Sequence, residues 1–315
     1  MDAEARDRAV FDLLEGSRMS SADAERRAER ARDVARWREL APALTIGGAA
    51  PTVATSSGVL PLADAELRAA GAQLREDGYF QTPPLVGGAA LASLNAAVDA
   101  IVADGWPPVF AWVYDELWHC ARVPAVRALV GAALGGEHAQ IPHIWVHVVP
   151  AAAGAAGWRP HFDGFGARRA SVWLALTDAT LDNGCIHLVP RRSLPAIFRQ
   201  SGVDRGAVPV ADALRALKAT RALPAPAGSA LVWTFDVLHW GGPCVRPGAP
   251  RRAISMEFLA AWEAPDEDEM PLVPVAGPLP PFADRLRMIG QAIRTYEKFE
   301  PGLARYRPLA ETLAS

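Results

Sequence analysis

Ile141–Pro150 reads IPHIWVHVVP, and its alternation decides how the second half of the chain folds. Side chains alternate across a β-strand, so His143, Trp145 and His147 share one face while Ile144, Val146 and Val148 share the other. Four more strand-length, β-branched or aromatic segments follow: RASVWLALTD (Arg169–Asp178), GCIHLVP (Gly184–Pro190), SALVWTFDVLHW (Ser229–Trp240) and RRAISMEFLAAW (Arg251–Trp262). Turn residues separate them, the pattern of an antiparallel sandwich or barrel. The expected fold is mainly β with helical decoration.

The first half reads as helices. SSADAERRAERARDVARWREL (Ser20–Leu40) opens on a Ser/Asp cap signal and carries charges at i, i+4 spacing with few large apolar residues. Residues 1–44 are therefore expected to be an appended, mostly solvated helical extension, and 45–61 a Gly/Pro/Thr/Ser-rich connector. A helix to about Asp77, stopped by Gly78, precedes a short strand, and another helix covers about Ala89 to Ala103. VFAWVYDELWH (Val109–His119) suggests an aromatic strand running into a short helix, and Pro124 opens one more helix ending at Gly135-Gly136. Residues 62–262 form the expected central domain, interrupted by a partly helical insertion at 202–226. Residues 263–315, an acidic Pro-rich crossing and a helix from about Phe282 to Phe299, pack on the same domain.

Composition excludes several classes. A net charge of −3 supplies no basic field for nucleic acid. Cys120, Cys185 and Cys244 form no CxxC pair, against both a disulfide framework and a thiolate zinc site. The charged start MDAEARDRAV is no signal peptide, and no apolar run is long enough to span a membrane. A cytoplasmic protein with a small-molecule substrate is expected, and the terminal helices offer a homodimer surface.

The chemistry concentrates in WRPHFDGFG (Trp158–Gly166). As a strand it aims His161 and Asp163 to one side and Phe162 to the other. An imidazole and a carboxylate side by side are two ligands of a facial metal site, one histidine short. His119, His138 and His187 sit in helical, loop or packed contexts. His239, 76 residues beyond Asp163, closes a strand at a Gly241-Gly242 turn and completes a two-His, one-carboxylate face suited to iron. Arg251 opens the returning strand, sharing a face with Ala253 and Ser255; Arg252, Ile254, Met256 and Phe258 take the other. A planar, bidentate cation there suits the far carboxylate of a chelating 2-oxoglutarate.

HFD, WLALTDATLDNGCIHLVP, the strand-end LH and RRAIS resemble the phytanoyl-CoA dioxygenase-like family of iron(II)/2-oxoglutarate oxygenases, and LREDGYFQTPPLV resembles the start of its domain. The resemblance spans roughly residues 62–262. It implies a double-stranded β-helix (a jelly-roll, cupin-like core with flanking α-helices), iron held by His161, Asp163 and His239, 2-oxoglutarate held by Arg251, and Trp173 lining the site. It also implies use of O2 and conversion of 2-oxoglutarate to succinate. The family's Pro-Gly-Ser-His is replaced by Pro190, Arg191, Arg192, Ser193 and Leu194, and a frequent hydroxyl residue by Gly241. The retained Asp163 favours hydroxylation over halogenation.

Other residues keep two readings. The face of His143, Trp145 and His147 either looks into the site, to bind cosubstrate or substrate, or is satisfied by buried neighbours. Trp112 and Tyr114, with Trp118, either wall a substrate pocket or belong to the core. Phe165 is a further candidate substrate contact. The rival functions are a cupin-like metalloenzyme without 2-oxoglutarate and a catalytically silent binding jelly roll.

Overall fold

The computed structural model describes residues 18–47, 62–165, 168–199, 208–269 and 272–314. The first 17 residues, most of the expected connector, Gly166 and the start of the 202–226 insertion lie outside the described residues. In chain order the elements are α1 (Ser21–Arg32), α2 (Val34–Leu40), α3 (Asp64–Asp77), β1 (Tyr79–Pro84), α4 (Gly88–Ala103), a 3-10 helix (Pro108–Val113), α5 (Asp115–Cys120) and α6 (Pro124–Leu134). There follow β2 (His138–Val149), β3 (Arg169–Ala175), β4 (Ile186–Val189), α7 (Val210–Ala219), β5 (Arg221–Leu223), β6 (Ser229–Thr234), β7 (Leu238–Gly241), β8 (Arg251–Ala260) and β9 (Val273–Pro274). The chain closes with α8 (Phe282–Tyr296), a 3-10 turn (Pro301–Tyr306) and α9 (Arg307–Ala314), the last helix not expected from sequence.

Two antiparallel sheets form the jelly-roll core. The large one runs β1-β6-β3-β8-β2-β9 and the small one β5-β4-β7. The large sheet is two-faced. Val172, Leu174, Val232, Ile254 and Met256 join the helices in one apolar core, whereas Trp173, Ala175, Leu231, Trp233 and Ala253 pack against Ile186, Leu188 and Leu223 of the small sheet. That inner face carries the chemistry, and Arg251 lies on it as the alternation requires. Helix outnumbers strand by residue count, yet strands set the site.

Three expectations need correction. Val109–Val113 is 3-10 helix, not strand: Pro108 sits in its first turn and every residue from Val109 to Val113 is fully buried, leaving no solvated face for a half-buried strand. SALVWTFDVLHW is two strands. After Thr234 the Val237 N–H donates to the Thr234 carbonyl (3.1 Å), and this turn carries the chain from the large sheet into β7 of the small one. β2 begins earlier, at His138, and a bulge at Pro142-His143 shifts its register on β8; a proline without an N–H is tolerated there. Gly78 stops α3 as expected, in the left-handed conformation (φ 79°).

The N-terminal helix is less solvated than its charge suggests. Ala24, Ala28 and Ala31 form a buried stripe in the core shared with Leu309, Ala310 and Leu313 of α9, and Arg32 donates to the Thr312 carbonyl (3.2 Å). α8 is fixed to α5 by a fully buried ion pair, Arg285–Asp115 (2.6 Å), with Arg285 also donating to the carbonyls of Pro280 and Val113. Removing one partner strands the other charge in an apolar interior. Asp115→Ala should therefore cost about 3–5 kcal/mol, read as a lowered urea midpoint, with a small change expected for the exposed pair partner Asp23→Ala.

Candidate metal centre

His161 and Asp163 lie in a loop, not a strand: at the ligands the segment meets the sheet through an isolated bridge, in which His161 and His239 exchange N–H···O bonds of 3.0 Å in both directions. That bridge fixes the two histidines side by side, ring centroids 4.3 Å apart. Asp163 Oδ1 is 3.6 Å from His161 Nε2 and 3.5 Å from His239 Nε2. The three donor atoms all lie within 4.8 Å of one another. The backbone sets the tautomers. His161 Nδ1 faces the Arg159 carbonyl (2.7 Å) and His239 Nδ1 the Val237 carbonyl (3.0 Å). A carbonyl only accepts, so both protons sit on Nδ1 and both Nε2 lone pairs face the gap beside Asp163. Burial and the neighbouring His239 push His161 down to about 4, so it is neutral at ordinary pH.

Asp163 is polarised by its other oxygen. Ser171 Oγ (2.6 Å) and Trp233 Nε1 (2.8 Å) both donate to Oδ2, leaving Oδ1 for a metal. Burial raises this carboxyl, but the two imidazoles and these hydrogen bonds outweigh it and hold Asp163 below the usual carboxylate range. The sequence reading contained no role for Ser171 or Trp233. Both lie on inner-face positions of β3 and β6, which the alternation of those strands exposes to view.

The other end of the same chamber is built for an anion. Arg251 is 1% exposed and its Nε and Nη1 have no partner; the Nε1 of Trp173, with its ring 5.5 Å below the guanidinium, has none either. Burial pushes Arg251 down to about 10, still charged at neutral pH. A buried cation and an indole N–H without acceptors fit a carboxylate bound from outside the chain. His147 lines this region, its Nε2 3.0 Å from Ser255 Oγ. Gly241 stands where the family often has a hydroxyl residue because a Cβ there would lie 2.6 Å from the Cα of Gly157, on the loop that leads to Trp158. Chamber and triad thus hold donors suited to a divalent metal and a chelating dicarboxylate.

Five sequence candidates do not line the chamber directly. Trp112 and Tyr114 are fully buried, donating to the carbonyls of Trp145 (3.2 Å) and Trp37 (2.7 Å) in the helical core, away from the chamber. Trp145 faces inward but stands behind Trp158 and gives its indole N–H to Glu300, where it supports the chamber wall. Phe165 packs on Phe162 and lines a separate cleft with Arg168 and Phe235. His143 reaches the chamber indirectly, through a 2.7 Å bond to Glu257.

The C-terminal segment, invisible as site material in the sequence, closes one side. Glu300 Oε1 accepts from both Trp158 and Trp145 (2.9 Å each), and Phe299 stacks on Trp158 (4.6 Å, 12°) while touching His161 (4.8 Å). α8 contributes Tyr296, which donates to Glu257 (3.2 Å).

Residues 109–253 match the family described as phytanoyl-CoA dioxygenase (PhyH). Among solved structures, the chain resembles the epimerase SnoN in complex with Fe3+, alpha ketoglutarate and nogalamycin RO (TM-score 0.53, 19% identity, covering 69% of this chain and 91% of that one). It also resembles the non-heme monooxygenase ThoJ in a nickel complex (0.54, 20%, covering 74% and 99%) and the alpha ketoglutarate-dependent carbocyclase SnoK from nogalamycin biosynthesis (0.50, 19%, covering 67% and 87%). At such identity these likenesses show the fold. No curated protein matches the sequence. The match over residues 109–253, carried by a jelly roll whose inner face assembles the matching residues, makes this chain similar to the phytanoyl-CoA dioxygenase-like family and supports an iron(II)/2-oxoglutarate-dependent, dioxygenase-type enzyme.

Proposed function

We propose that the protein hydroxylates an unactivated C–H bond of a small or medium-sized organic molecule, with release of succinate and CO2. The observation that carries this reading is the pairing of a complete His161, Asp163, His239 triad with an Arg251 guanidinium left partnerless at the far end of one chamber. Iron(II) and 2-oxoglutarate, when bound, supply activation of O2 through oxidative decarboxylation and transfer of an oxygen atom to carbon. The chain's own part is positional. His161, Asp163 and His239 would occupy one side of the metal and leave the opposite side open. Arg251 and Trp173 would hold the far carboxylate of 2-oxoglutarate and so fix which way its keto-acid end points. Trp158, Phe299 and Trp233 keep the reacting centre shielded from bulk water, which protects a strong oxidant from side reactions. The carboxylate of Asp163 would fill the ligand position that a halogenating site leaves for halide, which favours hydroxylation.

Anaerobic addition of iron(II) and 2-oxoglutarate should give a weak visible charge-transfer band. Arg251→Ala should weaken 2-oxoglutarate binding about 100-fold, since charge-assisted buried contacts are worth several kcal/mol. Asp163→Ala should lose both the band and tight iron binding. Iron binding without any band would move a cupin-like chemistry free of 2-oxoglutarate to the front.

The aromatic wall gives a separate expectation. Glu300→Ala leaves the indole N–H groups of Trp145 and Trp158 without acceptors, at about 1–3 kcal/mol each. Thermal unfolding should come several degrees earlier and the tryptophan emission should shift red. Affinity for 2-oxoglutarate, set at the Arg251 end, should stay within about twofold.

A further inference from the structure

One strand lines the chamber from end to end with polar inner-face residues. Arg251, Ala253, Ser255 and Glu257 are successive inner-face residues of β8, and at ~3.3 Å per residue the first and last Cα lie roughly 20 Å apart. Arg251 occupies one end and Glu257 the other, and both line the same cavity. The metal ligands sit toward the Glu257 end: Ser171, which holds Asp163, is the cross-strand partner of Glu257. A short dicarboxylate held by Arg251 would meet the metal from the Arg251 side, so Glu257 stands beside the metal site on the side that Arg251 does not serve.

Glu257 is a built feature of that end. It is buried, its Oε2 accepts from His143 Nδ1 (2.7 Å), and its Oε1 accepts from the Tyr296 hydroxyl (3.2 Å). His143 also lies 4.0 Å from Glu269, which is paired in turn with Arg169. Burial lowers His143, but Glu257 and Glu269 outweigh it and raise it above the usual imidazole range. The cluster thus sets Glu257 and Glu269 against His143 and Arg169, and the charge of Glu257 is already answered. What remains unanswered is hydrogen bonding: a carboxylate has about four acceptor positions, and the two donors just named fill two. An anionic group would be repelled here, and a cation finds its charge already matched. Trp158 and Trp233 supply apolar faces beside it.

We propose that Glu257, held in place by His143 and Tyr296, orients the organic substrate by accepting a hydrogen bond from a neutral hydroxyl or N–H group, so that the substrate class is a neutral, donor-bearing molecule with an apolar ring or chain. This rests on the oxygenase reading and assigns the half of the chamber that Arg251 does not use. The consequence is regiochemical: anchoring the donor group at Glu257 would present a carbon close to that group to the metal site.

The test uses the iron(II)- and 2-oxoglutarate-loaded protein under nitrogen. The probes are cyclohexylmethanol and 2-phenylethanol, each against its methyl ether, followed by saturation-transfer NMR and by paramagnetic broadening of the probe protons. Each alcohol should bind at least fivefold tighter than its ether and be broadened by the iron. In Glu257→Gln that preference should fall to less than twofold while the charge-transfer band of bound 2-oxoglutarate is retained. Tyr296→Phe keeps the carboxylate and removes one of its holders; it should reduce the preference at least twofold, and it carries the test should Glu257→Gln not fold. Equal binding of alcohol and ether to the wild type overturns the proposal, as does a preference unchanged in the variants. Loss of the band in Glu257→Gln also overturns it, because Glu257 would then serve the metal and cosubstrate. A band missing from the wild type is a different failure, that of the oxygenase reading itself.

Discussion

The pair of backbone hydrogen bonds between His161 and His239 holds the site together. One histidine comes from an irregular loop and the other from a short strand of the small sheet, 78 residues apart, so nothing local brings them together. The bridge fixes their Cα positions, the carbonyls of Arg159 and Val237 fix their ring tautomers, and Asp163 is then pulled into place from the large sheet by Ser171 and Trp233. A facial triad needs all three groups on one side of a small volume, and here each sheet supplies part of the support. The preference for a jelly roll follows: two packed sheets give converging inner faces at the rim, where a loop closes the set.

Much of this was legible in the chain because β-sheets write their faces into sequence at period two. Arg251, Ala253 and Ser255 on one side and Ile254, Met256 and Phe258 on the other could be assigned from RRAISMEF, and the structure puts the first set against the small sheet and the second under the helices. The same alternation would have found Ser171 beside Trp173 and Glu257 beyond Ser255, had the inner faces been followed to their ends. What stayed hidden has a common physical origin. Trp112 and Tyr114 were ambiguous because an aromatic run buried on every side carries no periodicity, and 3-10 helix and strand then look alike. Glu300 and Phe299 were unreadable because their role depends on where α8 docks, and that docking is set by a buried Arg285–Asp115 pair between segments 170 residues apart.

Charge is handled differently at the two ends of the chamber, and the difference is informative. Among the described residues, several buried ions have their partners in the chain: Arg285 has Asp115, Arg169 has Glu269, and His143 has Glu257. Arg251 does not. Burying a guanidinium with two donor nitrogens unmet costs free energy in the empty protein, and only a ligand that brings an anion recovers it. Under the proposed function, stability given up at Arg251 would be the source of affinity for the cosubstrate, the usual relation between a strained site and its ligand.

Gly241 shows the same exchange made in the backbone. A hydroxyl residue at this position would add a hydrogen bond near Arg251, but it would collide with the Gly157 backbone, and a Cβ on Gly157 would in turn approach Arg251 Nη2 to 2.8 Å. The two glycines let the loop carrying Trp158 and His161 lie directly on β7, with Gly241 N–H bonded to the Trp158 carbonyl (3.0 Å). That close approach keeps the indole of Trp158 over the chamber and within reach of Glu300. A hydroxyl at this position has given way to a rigid aromatic wall, leaving Arg251, Trp173 and the Ser255–His147 pair as the polar groups at that end. The family motif therefore departs at Gly241 for a steric reason that reaches the metal ligands through the very bridge that aligns them.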